Sequence, residues 1–506
     1  MNKIKLKIGV LILIIIFTVR CFDSHSDDQR PNIVFIFADD QSYNTVSATG
    51  NNEIITPVLD KLSESGVTFT NAFNMGAWNG AVCVASRAMI NTGRFVWHAH
   101  SFENHQQDLV NRGEMWGQLM QKAGYETYMT GKWHVNTKAE KLFNHVIHVR
   151  PGMPGDAWEH NIQVERFKEF TETKNGNISN LMPEGYNRPS HKNDTTWQPW
   201  DKKFGGYWEG GKHWSEVLGD DAITFIDSAK NQDKPFFMYL AFNAPHDPRQ
   251  SPKEFVDMYP LENISVPESF MPEYPYKDSI GCGPALRDAA LVPFPRTEYA
   301  VKVNRQEYYA LITHLDQQIG RILKALEASG EMDNTYIFYT ADQGLAVGNH
   351  GLIGKQNMYD HSIRVPLFVI GPDIPKNRKI DADVYLQDIM ASTLDLSGLE
   401  KPEYIEFNSL MPFIRGEKRE SNYPAIYGCF QNDLQRMVRA DGFKLIVYPH
   451  GKIMRLYDLN NDPQEITDLS GDPKYKEIKF RLFNQLVELQ KQMDDPLDLT
   501  TVFNKK

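Results

Sequence analysis

The sequence feature that most constrains the fold is a series of short apolar segments with polar side chains directly after them. These segments are rich in β-branched and aromatic residues and are almost continuously apolar; they span residues 33–38, 126–129, 236–242, 336–340 and 366–370. Continuous apolar strands of this length are typical of a parallel sheet that helices cover on both faces. The pattern therefore predicts a sheet that is buried on both sides.

Helical segments are predicted between these strands. Thr56 and Pro57 begin one helix, because threonine is a common N-cap and proline is tolerated at the first helical position, and Gly66 ends it. Two longer helices are predicted at 108–123 and 305–329, where apolar residues recur at helical spacing. The alternation predicts an α/β fold with a large mixed, mostly parallel sheet sandwiched by helices.

The C-terminal part of the chain has a different pattern. Residues 436–448 read as two strands joined by an Asp-Gly turn, and a terminal helix is predicted at 476–493. We therefore predict a main domain over residues 30–400 and a smaller α+β subdomain over residues 401–506.

Residues 136–220 show no clear periodicity and are too long for a passive loop, so we predict a substrate-facing insertion within the main domain. Five of the nine tryptophans lie there: Trp158, Trp197, Trp200, Trp208 and Trp214. Aromatic rings stack on sugars, but tryptophan is also highly buried on average. Anchoring of the insertion is thus the better interpretation for any single one of them.

The charge balance argues against one class of partner. With 54 basic and 65 acidic residues among 506, the formal net charge is −11, whereas binding to a nucleic acid backbone needs clustered positive charge. A small anionic substrate is compatible with this balance, because a local cationic pocket fits within an acidic protein.

The N-terminus is predicted to be a signal peptide over residues 1–22. Lysines at positions 3, 5 and 7 precede an apolar run at 8–17, which is shorter than the roughly 20 residues of a membrane span. We therefore expect an exported protein, periplasmic or secreted, without a stable membrane span. Cys21 is a candidate for lipid attachment, although Arg20 stands where a lipoprotein signal has a small residue.

The four cysteines do not form a disulfide framework. Cys282 and Cys429 either pair in an oxidising compartment or remain separate thiols, and the sequence leaves both alternatives open. Cys83 differs, because it opens a predicted helix with Arg87 one turn further on. A helix N-terminus and a guanidinium stabilise an adjacent anion, which indicates a reactive cysteine; a buried inert thiol is the alternative.

Polar side chains follow four of the predicted strands where each strand ends. They are Asp39 and Asp40, Lys132 and His134, His246 and Asp247, and Asp342 and Gln343. In open α/β sheets, ligands bind outside the carboxyl ends of the strands, so these side chains are expected to converge on one rim. Turn and capping roles explain one such pair more easily than they explain four.

Three carboxylates and one amide on this rim are hard oxygen donors: Asp39, Asp40, Asp342 and Gln343. Such donors suit Ca²⁺ or Mg²⁺, whereas structural zinc sites use cysteine and histidine. The sequence therefore predicts a site for a divalent cation. Helix caps or surface carboxylates are the alternative interpretation.

The segment CVASR at 83–87, followed by TGR at 92–94, resembles the signature of the type I sulfatases, in which cysteine or serine is oxidised to formylglycine. The similarity continues in the expected order through these segments: PNIVFIFADD (31–40), GKWH (131–134), PH (245–246), the run 341–366 and LYDLNNDP (456–463). Ala85 departs from the proline of many members, which leaves the maturation enzyme open. Gln343 replaces a frequent asparagine but still offers an amide oxygen.

The resemblance implies hydrolysis of sulfate esters, an alkaline-phosphatase-like fold and one Ca²⁺ ion. The implied metal ligands are Asp39, Asp40, Asp342, Gln343 and the modified Cys83. The hydrated aldehyde at position 83 would attack the sulfur of the ester, and expulsion of sulfate would regenerate the aldehyde. A formylglycine-generating or anaerobic maturation enzyme is the implied partner.

The resemblance also implies roles for the cationic and imidazole side chains near this rim. Arg87 would steady the formylglycine, and Lys132 and Lys355 would contact the sulfate oxygens. His134 would act as the base in the elimination, and His246 would donate a proton to the leaving alcohol. Read alone, either lysine is more often a solvated loop residue.

Two further histidines, His350 and His361, fall in the matching 341–366 segment. They are predicted to line the substrate pocket, and a structural role is the equally weighted alternative.

A sulfated carbohydrate is the predicted substrate, because export and an aromatic, histidine-rich insertion accompany the lack of a phosphate-binding glycine-rich loop. An algal polysaccharide of the ulvan type, or its oligosaccharides, is the specific expectation. Three alternatives stay open: a sulfatase for glycosaminoglycan or another small sulfate ester, a phosphate mono- or diester hydrolase of the same superfamily, and a non-catalytic glycan-binding protein.

Overall fold

The computed structural model describes residues 30–155 and 187–503, together with residues 169, 172 and 173. The predicted signal peptide with Cys21, and the part of the insertion that holds Trp158, lie outside the described residues. Within the described part of the chain, no helix has both the length and the apolar character needed to cross a membrane.

The strands follow the chain in this order: β1 (Asn32–Ala38), β2 (Val67–Phe69), β3 (Ala72–Phe73), β4 (Gly76–Ala77), β5 (Glu126–Lys132), β6 (His145–Arg150), β7 (Trp208–Glu209), β8 (Lys212–His213), β9 (Phe236–Ala241), β10 (Thr335–Ala341), β11 (Arg364–Val365), β12 (Leu367–Ile370), β13 (Arg378–Ile380), β14 (Val384–Tyr385), β15 (Ile426–Phe430), β16 (Gln435–Ala440), β17 (Phe443–Tyr448) and β18 (Ile453–Asp458).

The α-helices of the described residues are α1 (Pro57–Ser65), α2 (Val82–Thr92), α3 (Val96–Ser101), α4 (Gln106–Arg112), α5 (Trp116–Lys122), α6 (Trp214–Ala229), α7 (Lys253–Asp257), α8 (Glu298–Ser329), α9 (Asp360–Ile363), α10 (Asp388–Ser397), α11 (Met411–Ile414), α12 (Lys476–Gln492) and α13 (Leu499–Phe503). Short 3₁₀ turns lie between them, including Arg287–Leu291 and Asn349–Gly351.

The central sheet has eight strands in the order β13-β2-β12-β10-β1-β9-β5-β6. The five strands from β10 to β6 are parallel to their neighbours, and β12 is antiparallel to both strands beside it. The outer strand β13 pairs in parallel with β2. The predicted α/β fold with a large mixed, mostly parallel sheet is therefore confirmed.

The core is built around β1, which lies inside the sheet and is buried along its whole length. The register places Ala38 beside Ala341 of β10 and Phe37 beside Ala241 of β9. The long helix α8 adds Leu315 and other apolar residues to the same core. Since burial stabilises by roughly 25 cal/mol per Å² of apolar surface, these strands hold the residues that follow them firmly in place.

One helix prediction is wrong. The segment at 108–123 forms two helices, α4 and α5, because Gly113 takes a left-handed conformation with φ of 70° and ends the first of them. The prediction for α1 is accurate, with Pro57 at its first position. The long helix α8 begins at Glu298, earlier than the predicted residue 305. Thr297 caps it, because its side chain accepts a hydrogen bond from the backbone N–H of Ala300.

A second sheet has five strands in the order β18-β17-β16-β15-β4. The hairpin between β16 and β17 turns at Asp441 and Gly442, whose φ angles of 52° and 76° match the predicted tight turn. Its outermost strand, β4, comes from the first hundred residues and precedes α2 directly. The C-terminal sheet is thus completed by the main domain, and the boundary at residue 400 stays a prediction.

The insertion and the cysteines match the more conservative interpretations. Trp197 is buried and packs against Phe204 with 5.1 Å between ring centroids, as expected of an anchor. Cys282 and Cys429 are separate buried thiols in this structure, and Cys282 Sγ donates to the carbonyl of Gln356 at 3.1 Å.

Candidate active site

The carboxyl ends of four parallel strands bring the predicted polar residues to one edge of the central sheet. Asp39 and Asp40 follow β1, and Asp342 follows β10, whose last residue is paired with the last residue of β1. Lys132 is the final residue of β5, which is longer than the predicted 126–129 strand. His246 follows β9 in the neighbouring loop.

Asp40 is the centre of a buried hydrogen-bonded group. Lys355 Nζ donates to its two carboxylate oxygens at 2.9 and 3.0 Å, and Gln343 Nε2 donates to Oδ1 at 2.6 Å. The Asp40 backbone N–H donates to Asp342 Oδ1 at 3.1 Å, and Lys132 Nζ donates to Asp39 Oδ2. All of these side chains are buried.

Arg87 joins the helix α2 to the same group. Its Nε donates to Asp342 Oδ2 at 3.0 Å and its Nη1 donates to the Lys132 carbonyl at 2.7 Å. The guanidinium is fully buried and lies 4.7 Å from the centroid of the Phe37 ring. We call the six charged residues of this group the rim cluster: Asp39, Asp40, Asp342, Lys132, Lys355 and Arg87.

Burial and neighbouring charges shift the pKa values of the carboxylates in the rim cluster. Burial, followed by the nearby charge of Asp342, raises the pKa of Asp39 well above its ordinary value. Burial also raises the pKa of Asp40, although Lys355 opposes it. Burial works in the same direction on Asp342, but Arg87 and Lys132 outweigh it and lower the pKa of that carboxyl. Like charges crowded in a low dielectric of this kind favour a bound cation.

The donor set fits a divalent cation. Asp39 Oδ1 and Gln343 Oε1 are buried and have no hydrogen-bond partner among the described residues. One carboxylate oxygen each of Asp39 and Asp40 and a ring nitrogen of His246 lie within 4.8 Å of one another. Unpartnered carboxylate and amide oxygens are the ligands that Ca²⁺ prefers, so the residues present can hold it.

Cys83 is the second residue of α2 and points at the rim, because its Sγ lies 3.3 Å from Nδ1 of His134. His134 and Asp40 both have left-handed backbones, with φ of 53° and 70°. Non-glycine residues in this region cost of order 1–3 kcal/mol and concentrate at functional sites. Burial, then Lys132 and Arg87, lower the pKa of His134 well below its ordinary value.

Gly152 lies against the His134 ring and was not singled out by the sequence. A Cβ atom at this position would lie 2.5 Å from Cε1 of His134, so only glycine fits beside the imidazole in its present place. Gly152 thus limits the space beside the His134 ring, although nothing in the local sequence indicates this.

His246 is held by its own backbone neighbour. Its Nδ1 donates to the Asp247 carbonyl at 2.7 Å, and Nε2 lies 3.7 Å from Asp40 Oδ2. Burial, then Lys355 and Lys132, lower the pKa of His246 well below its ordinary value. With Nδ1 engaged by this carbonyl, Nε2 is the ring nitrogen that faces the rim cluster.

His350 and His361, the second of which lies on helix α9, form a separate group. Nε2 of His361 lies 3.3 Å from Nδ1 of His350, and Nε2 of His350 donates to the Glu465 carbonyl at 3.0 Å. The His350 ring stacks on the Tyr359 ring with 3.8 Å between centroids. The second nitrogen of His361 lies 2.9 Å from Ser362 Oγ. Because protein groups occupy all four ring nitrogens, these contacts favour the structural alternative, and a substrate-lining role stays a prediction.

Two family models match the chain. The model described as Sulfatase matches residues 31–399, and the model described as N-sulphoglucosamine sulphohydrolase, C-terminal, matches residues 348–492.

Curated relatives are similar along almost the whole chain. An arylsulfatase of Clostridium perfringens is 30% identical over 471 residues, 88% of this chain and 92% of the relative. An N-acetylglucosamine-6-O-sulfatase of Bacteroides thetaiotaomicron is 26% identical, with 95% of this chain and 90% of the relative covered. An ulvan-active sulfatase of Formosa agariphila is 26% identical and covers 96% and 86%.

Solved structures share the fold. One, determined in complex with its substrate D-glucosamine-2-N,6-O-disulfate, has a TM-score of 0.69 at 24% identity, with 92% of this chain and 98% of that chain covered. The phosphonate monoester hydrolase of Agrobacterium radiobacter has a TM-score of 0.67 at 21% identity, with 92% and 96% covered. The predicted alkaline-phosphatase-like fold with a C-terminal subdomain is thereby confirmed.

Proposed function

The chain belongs to the sulfatase family of the alkaline-phosphatase-like superfamily and is a sulfuric ester hydrolase, and we propose that it desulfates a carbohydrate at the rim cluster, with formylglycine derived from Cys83. One observation carries the choice of site: Cys83 Sγ lies 3.3 Å from His134, while Arg87 ties the helix of Cys83 to Asp342. These contacts support a site at which the proposed nucleophile, base and metal donors lie together.

Oxidation of Cys83 is the first part of the proposal. The hydrated aldehyde supplies a nucleophilic oxygen and a second hydroxyl whose deprotonation releases sulfate. A thiol at this place has the signature sequence around it, and Arg87 stands one helical turn further on. His134 is placed to accept a proton from a group on residue 83, because Nδ1 faces that side chain.

A calcium ion is the second part. It would be held by Asp39, Asp40, Asp342 and Gln343 with residue 83, and it supplies Lewis-acid polarisation of the reacting oxygens when bound. The unpartnered oxygens of Asp39 and Gln343 support this assignment. His246 Nε2 also lies near this donor group, and we assign it to the leaving group because its Nδ1 is held by the backbone.

The cations of the rim cluster suit an anionic ester. Lys132 and Lys355 are buried, and each is paired with a single aspartate, so their remaining ammonium protons can be directed at sulfate oxygens. In a dry pocket such fixed positive groups stabilise the charge that develops on the sulfuryl oxygens. His246, in its imidazolium form with Nδ1–H on the Asp247 carbonyl, would donate the Nε2 proton to the departing alcohol oxygen and become neutral, because an alkoxide is a poor leaving group.

A sulfated sugar is the substrate class we propose. Two relatives act on sulfated saccharides according to their names, one on N-acetylglucosamine 6-O-sulfate and one on ulvan, and a structural neighbour was solved with a glucosamine disulfate. An ulvan-type algal saccharide remains our specific proposal, and a glycosaminoglycan fragment is its main competitor. Export through the N-terminal segment fits an extracellular polymer.

Hydrolysis of a phosphate or phosphonate ester is the second candidate, because a phosphonate monoester hydrolase shares the fold. Mass spectrometry of the peptide that carries position 83, in protein from its native host, addresses both. We expect an aldehyde, together with faster hydrolysis of 4-nitrophenyl sulfate than of 4-nitrophenyl phosphate. An intact thiol with preferred phosphate hydrolysis would refute the proposal.

The metal assignment has its own test. Treatment with a chelator should abolish activity, and added Ca²⁺ should restore it and raise the melting temperature. At a ligand concentration of 100 times Kd, binding to the folded state alone contributes about 2.7 kcal/mol. Restoration by Zn²⁺ and not by Ca²⁺ would contradict the assignment of a hard-ligand site.

A further inference from the structure

We propose that Asp247 is a positioning residue for His246 and that Arg287 holds Asp247 in the required place. The inference rests on the proposed function, in which His246 donates a proton to the leaving alcohol. Asp247 and Arg287 both lie outside the segments that carry the signature resemblance, and together they would orient the acid.

The ring of His246 is oriented by the backbone of Asp247. The Asp247 carbonyl accepts from His246 Nδ1 at 2.7 Å and from the Tyr207 hydroxyl at 2.8 Å. With Nδ1 held in this way, Nε2 is the nitrogen that faces the rim cluster, 3.7 Å from Asp40 Oδ2. Any movement of the Asp247 backbone would therefore turn Nε2 away from the leaving oxygen.

The Asp247 carboxylate fixes that backbone through Arg287. Nη2 of Arg287 donates to Oδ1 at 3.3 Å, and Nη1 lies 3.2 Å from Oδ2, so the guanidinium pairs with the carboxylate through one hydrogen bond and one further close contact. Arg287 Nε in turn donates to Asp288 Oδ1 at 2.9 Å. Both carboxylates are buried, whereas 17% of the Arg287 side chain is exposed.

The same network reaches the segment in front of Cys83. Gln356, the neighbour of Lys355, donates from Nε2 to Asp288 Oδ2 at 2.8 Å and to the Gly80 carbonyl at 3.3 Å. Gly354 leaves no room for a side chain there, because a Cβ atom would lie 2.7 Å from Asp288 Oδ2. The proposed acid is thereby held relative to the proposed nucleophile through contacts that do not involve the metal donors.

A purely structural ion pair would behave differently from a positioning one. Its loss would reduce the amount of folded protein or slow every substrate alike. Loss of orientation at His246 should instead slow only the substrates that need a proton on the departing oxygen. Phenyl sulfate has a poor leaving group and 4-nitrophenyl sulfate has an activated one. A comparison of these two esters therefore separates a positioning role from a purely structural one.

The experiment measures kcat and KM for both esters in mature Asp247→Asn, Arg287→Gln and His246→Ala variants. We expect Asp247→Asn and Arg287→Gln to lower kcat for phenyl sulfate about tenfold, part of the 10²–10⁴-fold that an acid supplies. The rate on 4-nitrophenyl sulfate should fall less than threefold and KM should stay within twofold. In the His246→Ala background, Asp247→Asn should have no further effect, because the two act as one unit.

The controls keep the outcomes distinct. Arg321→Gln breaks an exposed pair with Asp220 on another face and should leave both rates unchanged. Arg287→Lys keeps the charge but not the planar guanidinium, so it should give an intermediate loss of kcat on phenyl sulfate. It provides the test if the first variants fold poorly. Equal losses on both esters, or an added loss in the His246→Ala background, would overturn the inference. A His246→Ala variant without preference between the esters would overturn the proposed acid itself.

Discussion

Two buried ion clusters of similar composition occupy different parts of the molecule. The rim cluster has three carboxylates and three cations, and so has a second group that we call the closed cluster: Asp360, Asp383, Glu465, Lys444, Arg364 and Arg439. Lys444 on β17 contacts Asp360 and lies 2.7 Å from Glu465. Arg364 and Arg439 lie 3.5 and 3.6 Å from the other oxygen of Asp360.

The two clusters differ in how Asp360 and Asp39 are compensated. Asp360 is surrounded by cations, so its pKa is lowered despite the opposing effect of burial. Asp39 has a single cation, Lys132, on Oδ2 and lies near the carboxylates of Asp342 and Asp40, so burial and Asp342 raise its pKa, and its Oδ1 has no partner among the described residues. We infer that equal charge counts serve two ends: the closed cluster joins two sheets, and the rim cluster stays open to a ligand.

Removal of the proposed nucleophile beside the rim cluster should have the largest effect, and the effect should be on turnover and not on stability. Cys83→Ala is expected to lower turnover by several orders of magnitude, because no other group in the rim cluster replaces a covalent nucleophile. The melting temperature should change by only a few degrees, since alanine suits a helix. Steady-state kinetics and thermal unfolding measure both effects. The matched Cys429→Ala variant should retain activity, and measurable desulfation by Cys83→Ala would refute the nucleophile.

A carboxylate of the closed cluster should matter for stability instead. Asp360→Asn leaves Lys444, Arg364 and Arg439 without their shared partner, and breaking a buried pair costs about 3–5 kcal/mol. Chemical denaturation measures this loss, and the folded fraction should keep its specific activity. Asp257→Asn, which breaks an exposed pair with Lys253, should change the free energy of unfolding by less than about 0.5 kcal/mol. A stable Asp360→Asn protein would show that the cluster is not the structural joint we infer.

The closed cluster should also produce a pH dependence. Burial raises the pKa of Glu465 from 4.5 to about 7, although Lys444 opposes it. An acid whose pKa is higher in the folded state contributes most stability below its unfolded value and loses that contribution as pH rises toward 7. We expect unfolding free energies to fall by up to about 3 kcal/mol through this window, and Glu465→Gln to flatten the slope. An unchanged slope in the variant would contradict the assignment.

The smallest expected effect sharpens the view of the open cluster. Gly152→Ala places a methyl group 2.5 Å from the His134 ring and should lower kcat about tenfold by displacing the imidazole. Gly155→Ala is the matched control, because nothing lies within 4 Å of a Cβ atom there. Kinetics with 4-nitrophenyl sulfate and a melting curve for each variant suffice. Equal activity of the two variants would mean that the His134 ring has room to move.

Much of the architecture could be predicted from local pattern. The apolar segments before Asp39, Lys132, His246 and Asp342 are strands because continuous β-branched and aromatic runs have few other stable placements. The prediction of a single helix at 108–123 was wrong because one glycine, Gly113, interrupts an otherwise regular apolar face. Periodicity averages over such a residue, whereas the backbone responds to it alone.

The chemistry of the rim was also indicated before the structure, and its arrangement was not. Sequence pattern and the sulfatase resemblance nominate residue types at strand ends, because each type is tied to the end of a local element. They do not indicate that Gly152 packs on His134 or that Arg287 grips Asp247, since these residues meet across large sequence separations. His350 and His361 illustrate the same limit, as their ring nitrogens are taken by neighbours that no spacing predicts.

The amino-acid sequence by itself determined the strands, the helices and the polar residues that end them, because local backbone preference and the burial of apolar side chains act over a few residues. Only the tertiary structure decided which carboxylates remain open to a ligand and which are closed by cations. That choice depends on the partners that distant segments bring within about 4 Å, the range over which buried charges interact most strongly.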